Sequence, residues 1–126
     1  MTVMTAEELV AEARQGLEEV GPDRARALAE WGIALIDVRE PGEYAEAHVP
    51  GAVNIPRGVL EFKVGDHPAL ADPGRSLLIY SKTGGRAALA ARSLQRMGLA
   101  AVTSISGGFE AWQQAGLDVA KDPAIW

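Results

Sequence analysis

The sequence predicts an α/β fold with a mostly parallel sheet, and two observations carry that expectation. Short apolar segments with strand character alternate with segments of helical period, the pattern of strands joined by helical crossovers. The apolar run Leu77-Leu78-Ile79-Tyr80 ends at Ser81. A glycine-rich loop follows, Lys82-Thr83-Gly84-Gly85, and Arg86 opens a helix. In sheets of this kind ligands bind beyond the carboxyl ends of the strands.

Taken in order, the elements read as follows. Thr5 and Glu8 form a capping-box pattern, and Leu9, Val10, Ala13 and Leu17 continue it as a helical stripe, giving an N-terminal helix within residues 1–16. Glu18-Glu19-Val20 suits a short edge strand. Gly21-Pro22 places proline at a helix start, and Gly32 suits that helix's end. Ile33 to Val38 is a buried strand leading into Arg39. Pro41 to Ala47 gives one or two helical turns, and Ala52 to Ile55 a brief strand closed by Pro56. Arg57 to Asp72 mixes Gly, Pro and scattered apolar residues and is expected to be a loop with one helical turn. Asp72-Pro73-Gly74 turns the chain into the strand 77–80. The next helix spans about 86–97, with Ala87, Ala90, Ala91, Leu94 and Met97 on one face and Gly98 as its cap. Ala101 to Ile105 is a strand and Phe109 to Ala115 a last helix ended by Gly116. Residues 117–126 form a tail. The strands at 33–38, 77–80 and 101–105 should lie parallel in one sheet with helices on both faces.

The totals narrow the function. A chain of 126 residues, 48% hydrophobic and 23% charged, fits one soluble domain over 1–126, with no repeat or linker. A formal net charge of -5 argues against nucleic acid or an anionic membrane as partner. No apolar run is long enough to span a bilayer. The first ten residues carry Glu7 and Glu8 instead of a basic region and an apolar core, so no signal peptide and a cytoplasmic location are expected. There are no cysteines, which excludes disulfides, thiolate metal sites and thiol chemistry in this chain.

The loop after the third long apolar run is the candidate site. Gly84 and Gly85 permit backbone angles that turn successive N–H groups toward one concavity at a helix N-terminus, which favours an anion. The amides of residues 82–86 should converge on the Ser81 hydroxyl. Arginine is disfavoured in a first helical turn, so Arg86 there suggests an anionic partner. Lys82 reads equally as a solvated lysine or a ligand contact. By itself, Ser81 also reads as a helix-capping serine. His48 and His67 have no cysteine or carboxylate at metal-ligand spacing, and no metal or cofactor is expected.

Several segments together resemble the rhodanese family. They are Leu35-Ile36-Asp37-Val38-Arg39-Glu40, Glu43-Tyr44, His48-Val49-Pro50-Gly51-Ala52-Val53-Asn54-Ile55-Pro56, the loop 81–86, and Gly107-Gly108-Phe109 with Trp112. The likeness covers about residues 5–120. It implies a doubly wound sheet flanked by helices, with the loop C-x-x-G-x-R cradling a cysteine persulfide. It further implies transfer of sulfane sulfur from a small anionic donor such as thiosulfate to a small-molecule or protein acceptor. It makes Lys82, Thr83, Gly84, Gly85 and Arg86 the substrate-binding loop, Asp37 and Arg39 a structural ion pair near it, and His48 structural. The departure falls at the nucleophile, where Ser81 holds the cysteine's position. A hydroxyl ionises far less readily than a thiol and forms no persulfide, so the expectation is an intact cradle without sulfur transfer. The serine is compatible with a replaced cysteine or with a naturally non-catalytic module that binds an anion or a protein partner, and the gene's codon at 81 separates the two.

Two other readings compete. A serine hydrolase would join Ser81 to Asp37 and His48, but the elbow G-x-S-x-G is absent. A phosphatase related to this fold would use C-x5-R, whereas four residues separate Ser81 from Arg86.

Overall fold

The structure is a computed structural model that describes residues 2–68, 70 and 72–123. Five strands form one sheet: β1 (Glu18–Val20), β2 (Ala34–Asp37), β3 (Val53–Asn54), β4 (Leu77–Tyr80) and β5 (Val102–Ile105). Their order is β1-β5-β4-β2-β3, and every pairing is parallel. Among the described residues six α-helices accompany it: α1 (Ala6–Arg14), α2 (Pro22–Glu30), α3 (Pro41–Glu46), α4 (Leu60–Lys63), α5 (Gly85–Arg96) and α6 (Gly108–Gln114). Among the described residues no helix is long and apolar enough to cross a membrane.

Strand alternation sorts the core into two layers. Ile36 and Val38 of the β2 segment, with Leu77 and Ile79 of β4, pack against Ala87, Ala90, Ala91 and Leu94 of α5. Leu35, Leu78 and Tyr80 point the other way, toward Ala25, Phe109 and Trp112. The alanine face of α5 brings that helix close to the sheet, and α1 packs on α5 in turn. Helices therefore cover both faces, as the alternation requires.

The predicted strands at 18–20 and 77–80 match those observed, and those at 33–38, 52–55 and 101–105 are each a residue or two longer than β2, β3 and β5. The N-terminal helix ends at Arg14, so Leu17 lies beyond it, where the chain turns at Gln15-Gly16 to enter β1. The segment Arg57–Asp72 holds more helix than expected: α4 sits between 3-10 turns at Arg57–Val59 and Val64–Asp66. Its buried Leu60, Val64 and Leu70 seal one layer, and its residues 69 and 71 lie outside the described residues. The tail is anchored through Ala120, which bridges His48 by two backbone hydrogen bonds of 2.9 and 2.8 Å. The tail's residues 124–126, and residue 1 of the N-terminal segment, are outside the described residues.

Topology fixes where a site can form. After β3, on one side of β2, the chain crosses to β4 on the other side and continues outward to β5. The carboxyl ends of β2 and β4 adjoin at that reversal, with Asp37 in register with Tyr80 and Ser81 next in the chain. This is the crevice where open parallel sheets take their ligands.

Candidate functional site

The loop closes on Ser81. Its Oγ accepts the amide N–H of Gly84 at 3.2 Å and of Ala87 at 3.1 Å, and the residue is only 1% exposed. The donors differ from the expected set. Gly84 belongs to it, Ala87 lies just beyond it, and the amides of Lys82, Thr83, Gly85 and Arg86 have no hydrogen-bond partner among the described residues. Gly84 reaches this arrangement at φ +126, a conformation that L side chains rarely adopt. The result is a polar concavity at the start of α5, with amide donors still unspent and a favourable helix dipole behind them.

The first turn of α6 holds the loop from the other side. Phe109 donates its amide to the Ser81 carbonyl at 2.8 Å, and Glu110 donates to the Lys82 carbonyl at 3.0 Å. Two orphan helix amides are thus satisfied by the loop itself. Gly108 makes the approach feasible, because a Cβ there would lie 2.5 Å from the Ser81 carbonyl oxygen and 2.7 Å from that of Lys82.

Arg86 is committed to a protein anion. Its guanidinium forms a fork with Glu43 of α3, at 2.7 and 3.0 Å. This hydrogen-bonded pair outweighs partial burial and lowers the Glu43 carboxyl to about 2, while Arg86 is raised. Lys82 and Thr83 stand exposed on the loop.

Asp37 and Arg39 form a buried constellation beside the loop. Arg39 donates Nη2 to Asp37 Oδ2 at 2.7 Å and Nε to Oδ1 at 3.0 Å, and its remaining reach goes to the Ala47 carbonyl at 2.7 Å. Its guanidinium carbon lies 4.3 Å from the centre of the Phe109 ring, a favourable cation–π distance. Burial works to lower the Arg39 pKa, but the Asp37 contacts prevail and it is raised. Tyr80 donates its hydroxyl to Asp37 Oδ2 at 2.6 Å and accepts the Val49 amide at 3.0 Å. Burial and the adjacent Asp37 charge push the phenol upward, so it remains a neutral donor. Asn54 ties the same corner by donating Nδ2 to the carbonyls of Asp37 and Arg39, while its buried Oδ1 has no hydrogen-bond partner among the described residues.

No hydrolytic triad forms. His48 stacks on Tyr44 with ring centroids 3.6 Å apart and places Nδ1 2.7 Å from the Tyr44 carbonyl oxygen. Asp37 is spent on Arg39 and Tyr80, and Ser81 on loop amides. Two depressions border the loop. A cleft of about 240 Å³ is lined by Arg39, Glu43, Glu46, Lys82, Phe109 and Glu110. A groove of about 330 Å³ lies where α1 meets Thr83 and Gly85.

Sequence reasoning assigned no partner role to Glu43, Tyr80 or Arg14. Glu43 carried a local signal, an acid in the first turn after Pro41, but its pairing spans 43 residues. Arg14 comes to the loop only through the packing of α1 on α5: a Cβ at Gly84 would meet its Nη2 at 2.8 Å.

Comparison with known proteins agrees with this fold. Residues 21–115 match the rhodanese-like domain family. The thiosulfate sulfurtransferase GlpE of Pseudomonas syringae is 31% identical over 96 residues, covering 76% of this chain and 87% of that protein. A Rhodopseudomonas palustris protein of unknown function, named as a possible tyrosine phosphatase, superposes with a TM-score of 0.81 at 31% identity. That match covers 95% of this chain and 97% of the other. The polysulfide-sulfur transferase of Wolinella succinogenes gives a TM-score of 0.76 at 28% identity, over 89% of this chain and 84% of that one.

Proposed function

The chain belongs to the rhodanese-like domain family, and from that premise we propose that it is a sulfurtransferase-type domain in a form that holds a small anion without carrying sulfur. One observation supports this most strongly. The Ser81 Oγ occupies the focus of the loop, buried and accepting two amide hydrogen bonds, where a nucleophilic sulfur would be stabilised as an anion. In a cysteine form, the thiolate would attack the sulfane sulfur of thiosulfate, releasing sulfite and leaving a persulfide. An acceptor nucleophile such as cyanide would then take that sulfur and return the thiolate. Serine does neither step.

The four-residue spacing between Ser81 and Arg86 fits a small sulfur anion better than a phosphate ester. The same reading treats the chain as one domain, since both apolar layers close on one sheet. A second reading, a module that binds an anion or a protein partner and never transfers sulfur, is favoured by how completely Ser81 Oγ is accommodated by its two amides. The test is thiocyanate production from thiosulfate and cyanide. The chain as it stands should stay at background, and Ser81→Cys should rise clearly above it. An inert Ser81→Cys form supports the module.

A further inference from the structure

Resting on the anion-cradle reading above, we propose that the anion reaches the loop through the groove beside α1, and that Arg14 is its specificity-determining contact. Two openings border the loop, and they differ in the donors they leave unspent. In the cleft toward α3 and α6, Arg39 is neutralised by Asp37 and Arg86 by Glu43. Lys82 is then outnumbered by Glu46 and Glu110, neither of which has an ion-pair partner among the described residues. A dianion entering there meets net negative charge.

The α1 groove is built differently. Thr83 and Gly85 line it, and both carry amides with no partner among the described residues. Arg14 lines it too. It pairs with Glu19 at a loose 3.6 Å, and its Nη2 stands against Gly84 with no hydrogen bond among the described residues. Residues lining the groove thus carry a guanidinium with unspent donors, two unspent amides and the exposed Thr83 side chain, donor types that suit a small tetrahedral oxyanion. Glu7 also lines the groove and opposes the anion, so its removal should tighten binding. Arg86, the loop's own arginine, cannot serve in the same way while Glu43 holds it. Arg14 precedes the segment 21–115 that matches the family, so this contact belongs to the N-terminal helix of this chain.

The test is titration of the protein with sulfate and with thiosulfate at low ionic strength, by calorimetry and by amide NMR shifts. Arg14→Gln should weaken binding about tenfold, the scale of one partly screened charge-assisted contact. Arg14→Lys should retain most of it, and Glu7→Gln should strengthen it. Thermal unfolding of all three variants should match the parent, which separates contact from structure. The amides of Thr83 and Gly85 should shift on titration. Unchanged affinity in Arg14→Gln, or shifts confined to Glu46, Glu110 and Gln113, overturns the α1 route while leaving the cradle standing. Failure of the parent to bind either anion overturns the cradle reading itself.

Discussion

Gly108→Ala is the substitution whose consequence the structure defines most sharply. The new Cβ would lie 2.5 Å from the Ser81 carbonyl oxygen, 2.7 Å from the Lys82 oxygen and 2.8 Å from the Lys82 carbonyl carbon. All three atoms are backbone, so no side chain can swing aside. Relief requires α6 and the loop to separate, which loses the Phe109 and Glu110 amide hydrogen bonds to the loop. Each such bond contributes about 1 kcal/mol. Alanine at φ +63 adds backbone strain of about 1 kcal/mol. The expected loss is therefore about 3 kcal/mol in urea denaturation at neutral pH. Gly116→Ala is the control: φ is +73 there, but nothing lies within 4 Å of the added carbon, so only the strain of about 1 kcal/mol remains. Gly108→Ala should also shift the Gly84 and Ala87 amides that point at Ser81. If it costs no more than Gly116→Ala and leaves those shifts in place, the close packing of α6 on the loop is not what holds the site.

Further consequences follow from the charged corner. Asp37→Asn leaves Arg39 buried at 4% exposure without its charge partner, and should cost roughly 3 kcal/mol by chemical denaturation. Glu43 titrates at about 2 in the folded protein against an ordinary 4.5, because Arg86 holds its charged form. Its contribution is complete above pH 4.5 and disappears as the pH falls through about 2. A third of the Glu43 side chain remains in solvent, so screening reduces that contribution to about 1 kcal/mol. Glu43→Gln should flatten the stability profile over that window, as measured by unfolding at a series of pH values.

Local physics made much of this molecule readable from its residues. Capping at Thr5, proline at Pro22 and Pro41, and the glycines Gly32, Gly98 and Gly116 mark helix ends, and the apolar runs that end at Asp37 and Tyr80, buried on both faces, mark strands. The loop 81–86 was visible because glycine pairs and a strand-to-helix junction constrain the backbone whatever surrounds them. Asp37 and Arg39 were legible as a pair only through the family resemblance, and the structure joins them in a buried ion pair. What stayed hidden depends on contacts distant in sequence. Arg86 in a first helical turn signalled an anionic partner, and the structure supplies a carboxylate from 43 residues away. Tyr80 read as an apolar strand residue, yet its hydroxyl closes on Asp37 across the β2–β4 register. Arg14 drew no reading of its own, since nothing near it in sequence reports that α1 lies over the loop.

The most direct test of the central claim is the intact mass of the Ser81→Cys protein after exposure to thiosulfate, with the unaltered chain treated in parallel. The cradle account predicts that the cysteine form gains one sulfur atom, removable by cyanide, and that the unaltered chain gains none. A cysteine form that takes up no sulfur while its fold and loop amides match the parent would contradict it.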